Sequence, residues 1–215
     1  MEERETAGAK PIHSRKHGNE FPQEIVTRQD AARRQLTTAI DLVLGIGDAV
    51  SANVLAWSAV EMLRGVAKAR GVDTFSGQLE DRIKPEFLRY WRNILKEHYN
   101  YFKHADRDPE GVITDFTPES TTWTLFGGVL DYVHIYKTRT WSMLVYQIWF
   151  LSRHPEITLD ETAEMVSALA PGLRYPAGKP LDEAVQAAFE MVDNGRKHPE
   201  LLAQLGPAWL KTLEP

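Results

Sequence analysis

Residues 48–71 read DAVSANVLAWSAVEMLRGVAKARG, and this stretch decides the fold class. Asp48 stands where a helix N-cap is needed, with a carboxylate able to accept from free first-turn amides. Arg64, Lys68 and Arg70 crowd the last turns, where positive charge offsets the carbonyl end of the helix dipole, and Gly71 occupies the left-handed stop position. Between these signals Val54, Trp57, Val60, Met62, Leu63 and Val66 leave almost no side polar, while Ala52, Ala56 and Ala59 let neighbours approach closely. A helix that is apolar nearly all round has to be surrounded, so this is the expected central helix of a bundle.

On its N-terminal side, Leu36, Ile40, Val43 and Leu44 fall on one helical face, which predicts a first helix over residues 23–45 ended by Gly45 and Gly47. On its C-terminal side, residues 71–83 read as a connector. Lys84-Pro85-Glu86 then opens a third helix reaching about Ala105 or Asp106, with proline where its missing N–H costs nothing. Thr117-Pro118-Glu119 opens a fourth that reaches Tyr136. A fifth runs from Trp141 to about Arg153 and is stopped by His154-Pro155. Thr158-Leu159-Asp160-Glu161 fits a capping box for a short helix to Ala170, and another helix is expected from Pro180 to Asn194. Nothing alternates with a period of two for long. The expectation is an all-α protein: an antiparallel bundle of four or five helices over residues 23–153, a disordered polar tail over 1–22, and an acidic helical extension over 156–215 packed on the bundle.

Composition narrows the function classes. Hydrophobic residues at 43% and charged residues at 26% exclude wholesale disorder. Cysteine is absent, which excludes disulfides, thiolate-ligated zinc, iron–sulfur clusters and a cysteine nucleophile. No run of 18 apolar residues suggests a membrane span. The acidic opening Met1-Glu2-Glu3 leads into no apolar stretch, so no signal peptide is expected and the cytoplasm is the expected location. No motif calls for a cofactor. The net charge of −5 is uneven: residues 154–215 carry 10 acidic and 5 basic side chains, residues 82–107 carry 3 acidic and 7 basic. Such a basic segment either faces an anion or is the solvated side of a helix with acidic neighbours, and the second is the simpler reading.

The third helix holds the densest chemistry. At 100° per residue Phe87, Trp91, Ile94, Leu95, His98, Tyr101, Phe102 and Ala105 share one apolar stripe with His98 near its middle. Asn93, Glu97, Asn100 and His104 gather on another face, and Arg92 projects about 120° from His98. The plain reading is that the stripe is core, His98 a hydrogen-bonded core histidine, and the Asn/Glu face a wet one. Against it stands the crowding of Arg92, Asn93, His98, Asn100, Lys103, His104 and Asp106 within a few turns, since a surface shaped by solubility alone uses more Glu and Lys.

Arg92-Asn93, four residues, then His98 resembles the Arg-polar-x-His signature of HEPN-type helical domains, many of which are metal-independent ribonucleases. The resemblance implies that Arg92 stabilises phosphate charge, His98 acts as general acid/base and Asn93 assists, commonly across a dimer. Asn100, Lys103, His104 and Asp106 are then candidate binding residues beside them. Those implied partners are a second copy of the chain and RNA or a nucleotide, with no membrane. Two other classes stand beside this one. One is a non-enzymatic module that dimerises or binds protein through its aromatic helices. The other is a metal-binding helical protein using Asp131 and His134, spaced i, i+3, with Glu97, His104 or Glu61 from facing helices. No HExxH or paired ExxH supports a metal, and none is expected.

Overall fold

The computed structural model describes residues 23–104, 106, 108–157 and 181–197. About 78% of them are helical and no strand occurs among them, so the protein is all-α as expected. The first helix, α1, spans Arg28–Asp41 and widens into a π-turn over Leu42–Ile46. It begins later than the apolar spacing suggests because Thr27 and Asp30 form a reciprocal capping box that fixes the start.

α2 spans Ala49–Arg70, with Asp48 accepting from Ser51 N at 3.0 Å and Gly71 closing the helix at φ 64°. The segment expected to be a plain connector contains a short helix, α3, at Phe75–Glu80. α4 spans Pro85–Lys103, α5 Pro118–Tyr136 and α6 Trp141–Arg153, each starting where the proline or threonine signal put it. A 3-10 turn, Pro155–Ile157, follows, and α7 spans Leu181–Lys197. The expected tail (1–22), the capping box at Thr158 and the remainder of the C-terminal extension lie outside the described residues.

α2 is the centre, packed between α1 and α5, with α6 closing the core. Leu36, Ile40, Leu63, Leu125, Val129, Tyr132, Tyr146, Trp149 and Phe150 fill the space between them. Asn53 Nδ2 donates to Thr121 Oγ1 at 3.2 Å inside this core, and Thr121 Oγ1 donates to Ala49 O at 3.1 Å, which holds the N-terminal turns of α2 and α5 together. Of the paired glycines in α5, Gly128 faces Leu36 and Val60, whereas Gly127 meets nothing.

α7, the described part of the acidic extension, packs on α6 and on the π-turn. Trp141 Nε1 donates to Met191 O at 2.9 Å, and Arg196 bonds both Asp41 at 2.8 Å and Ser142 at 2.9 Å. A Cβ at Gly45 would lie 2.6 Å from the Phe189 ring, so this glycine lets α7 approach the π-turn. No helix among the described residues is long and apolar enough to cross a membrane.

Candidate functional site

α4 is seated on α2 through one flank. Tyr99, its one buried residue among those described, stacks on Trp57 of α2 with ring centroids 6.1 Å apart, beside Val54 and Val60. Glu61, the sole carboxylate within α2, accepts from Lys96 Nζ at 2.6 Å and from Tyr99 OH at 3.2 Å. Lys103 Nζ donates to the same hydroxyl at 2.9 Å. About two turns from the helix start, Arg92 donates from Nε at 3.0 Å and from Nη2 at 2.6 Å to Glu80 of α3, which also lies 3.3 Å from Arg64 Nη2. Residues 92, 96, 99 and 103 follow the i, i+4, i+7, i+11 spacing of one helical edge.

The electrostatics of this seam are mutually reinforcing. Burial pushes the Glu61 carboxyl up, but the bonds from Lys96 and Tyr99 and the nearby Lys103 ammonium outweigh it and hold the group below its ordinary range. The bond and proximity to Tyr99 OH raise Lys103, and the Glu80 carboxylate raises Arg92.

Docking by that edge leaves the apolar stripe outside the core, which overturns the expectation that the stripe is buried. Tyr90 is 67% exposed and Phe87 55%, and Ile94, Leu95 and Tyr101 are exposed as well. Trp91 is half-buried, and the far end is covered by Phe116 from the loop after α4: its ring meets Phe102 edge-on at 5.1 Å and His98 at 5.2 Å. His98 is therefore not a core histidine. Its side chain keeps 21% exposure, with Nε2 3.5 Å from Asp115 Oδ1.

The sequence candidates distribute as follows. Arg92 is at the α3 seam and His98 at the Asp115–Phe116 loop, so one chain directs them to different neighbours. Asn93 is exposed on α4, and Asn100 is half-buried, its backbone carbonyl accepting from the His104 N–H at 3.0 Å. Lys103 belongs to the Glu61–Tyr99 cluster, His104 closes α4, and Asp106 is exposed in the turn beyond. Glu61, Glu80, Asp115 and Phe116 are the neighbours that the sequence reading did not assign to this helix, and Tyr99 is the α4 residue it left off the stripe. For Glu61 a signal existed: a single carboxylate within an apolar helix needs a cationic partner.

Asp131 and His134 do not converge. Asp131 is buried and caps α3, accepting from Phe75 N at 2.6 Å and Ser76 Oγ at 3.0 Å, while His134 is exposed. Among the described residues no group of three or more His, Asp or Glu side chains is placed to hold a metal ion. In comparisons with known proteins, no family model, no curated protein and no solved structure matches the chain.

Proposed function

We propose that this chain is an association module that pairs with a second copy of itself through the open face of α4. One observation carries the reading: Phe87, Tyr90, Ile94, Leu95 and Tyr101, neighbours at helical spacing, lie bare on one continuous face. Taking about 200 Å² for an aromatic side chain, this face exposes roughly 450 Å² of apolar surface, within the ~300–600 Å² of a monomer's largest patch, which is often a functional one. A two-fold contact would bury about 900 Å² from these residues alone, and the flanking polar side chains bring it near the ~1,200 Å² of a stable interface. Between Phe87 and Leu95 the centre of the face carries no charge, so self-pairing opposes no like charges there; Glu86 and Glu97 stand at its rim, and His98 with Asp115 at its far end. Light scattering on the eluting protein tests this. A dimer is expected at micromolar concentration, with Tyr90→Asp and Ile94→Asp monomeric and fully folded because both side chains are exposed. A monomeric wild type overturns the reading, whether a different partner or another segment of this chain covers the face.

The RNA-directed reading implied by the HEPN resemblance rests on the same helix. What favours it is the placement of His98 and Arg92 at accessible positions outside the core. Because one chain sends them to different neighbours, this reading requires the pairing of two α4 helices to assemble a site. Cleavage of a short single-stranded RNA, lost in both His98→Ala and Arg92→Ala with melting unchanged, supports it; no cleavage by the dimeric wild type removes it.

A further inference from the structure

A second feature lies at the C-terminal end of α5, where α3 and the turn before α6 meet it. Phe75 and Gln78 of α3, Leu130, Val133 and His134 of α5, Lys137 at its end, Arg139 of the turn before α6 and Gln147 of α6 line an open cavity of about 470 Å³. That volume is within the range of small-molecule sites. Phe75, Leu130 and Val133 make an apolar wall, and His134, Lys137 and Arg139 supply basic groups; none of the lining residues among those described is acidic. The nearby carboxylate of Asp131 is not on the wall, being buried and bonded to the first amides of α3.

The backbone at Lys137 is the second, independent observation. Lys137 sits at φ 58°, and it is the sole non-glycine residue with positive φ among those described. Helices commonly stop at this conformation, but the residue there is usually glycine, because a Cβ makes it unfavourable by about 1 kcal/mol. Here the stop carries a lysine, and its left-handed turn reverses the chain so that Lys137 and Arg139 line the same cavity. Arg139 Nη1 donates to Gln147 Oε1 at 2.9 Å, which fixes the guanidinium against α6. Burial lowers the Arg139 pKa, so its charge is held in a partly desolvated place where an anion is well received. Neither Lys137 nor His134 has a side-chain hydrogen bond or ion pair among the described residues. Backbone strain held at a cavity wall by a cationic residue has a physical account if the cation is used.

We propose that this cavity binds a small organic anion, a phosphate or carboxylate head group on a compact apolar body, with Lys137 and Arg139 holding the head and Phe75, Leu130 and Val133 the body. It is independent of the α4 face, and the two fail separately, since the Tyr90 and Ile94 variants leave this cavity untouched.

Titration calorimetry with phenyl phosphate, benzoate and benzyl alcohol tests it, with inorganic phosphate as a fourth probe. At least one aromatic anion is expected to bind in the micromolar to low-millimolar range, more tightly than inorganic phosphate, with benzyl alcohol not binding; the tighter of the two anions names the head group. Lys137→Gly is the decisive variant, because glycine relieves the left-handed conformation. It should melt at the same or a higher temperature than wild type and yet bind the anion about tenfold more weakly. Arg139→Gln should weaken binding at least as much. Absence of binding by both aromatic anions, or binding that Lys137→Gly leaves unchanged, overturns the proposal.

Discussion

Tyr99 lies stacked on Trp57, ring centroids 6.1 Å apart and planes 29° from parallel, and this contact sets the rotation of α4 about its own axis. Tyr99 stands at one edge of the apolar arc. Seating that edge on α2 turns the centre of the arc, Ile94 and its neighbours, toward water. The choice is backed by charge, because the same edge brings Lys96 to Glu61 and Arg92 to Glu80.

Replacing Tyr99 by Ala should therefore cost about 3 kcal/mol, the range for emptying a buried aromatic site. Tyr99→Phe keeps the stack and removes only the hydroxyl that links Lys103 to Glu61, so about 1 kcal/mol is expected. In hydrogen exchange the α4 amides should lose protection before those of α2. Unchanged α4 protection in Tyr99→Ala would show that another contact seats the helix.

Glu61→Gln should give a pH-dependent loss. The folded-state pKa of Glu61 lies below its ordinary 4.5, so its stabilisation is complete above that value and disappears as pH falls through the folded-state pKa. At pH 7 the variant should be less stable by about 1 kcal/mol, a modest figure because the Glu61 side chain is 39% exposed. Urea unfolding at neutral and strongly acidic pH checks it: the two proteins should converge on the acidic side.

Asp131 should show the opposite sign. Burial raises its pKa above the ordinary 3.8 despite the bonds from Ser76 and Phe75 and the nearby Arg64. Ionisation therefore costs stability above the folded-state pKa, and acidification through that pKa toward 3.8 relieves the cost. Across that window wild type should gain stability relative to Asp131→Asn as pH falls. Asp131→Ala, which leaves the α3 amides without their acceptor, should lose about 2–3 kcal/mol at pH 7. A pH series of denaturation midpoints reads all three proteins.

The adjacent glycines of α5 should respond in opposite directions. An added Cβ at Gly127 meets nothing within 4 Å, so Gly127→Ala should gain about 0.5–1 kcal/mol from helix propensity and a less flexible unfolded chain. At Gly128 the Cβ would lie 3.0 Å from Leu36 Cδ2 and 3.1 Å from Val60 Cγ2. Overpacking against two core side chains should outweigh the propensity gain and leave Gly128→Ala about 1 kcal/mol less stable. Thermal melts of the two single variants decide it; equal responses would contradict the packing difference.

What the sequence determined by itself was local. Helix class and helix ends are set within a few residues: Asp48 and Gly71 bound α2, Pro85 and Pro118 open α4 and α5, and His154-Pro155 closes α6. Capping chemistry acts through the nearest amides and carbonyls, so it can be read along the chain. The capping box of Thr27 with Asp30 is equally local and legible, though the apolar spacing drew attention upstream of it. α3 was hidden because six residues show no period, and its start depends on Asp131, a carboxylate from α5.

The tertiary structure alone decided which face of α4 is covered. The stripe from Phe87 to Phe102 states that an apolar face exists, and burial is the usual fate of such a face. A helix nevertheless docks by whichever side its neighbours can complement, and here Trp57, Glu61 and Glu80 complement the edge bearing Arg92, Lys96, Tyr99 and Lys103. Asp131 and His134 make the same point on a smaller scale. Their spacing places them on adjoining turns of one helix, yet α3 closes over Asp131 and leaves His134 at the wall of an open cavity. Spacing along one helix fixes angles about its axis; only the packing of the other helices sets which angles face protein and which face water.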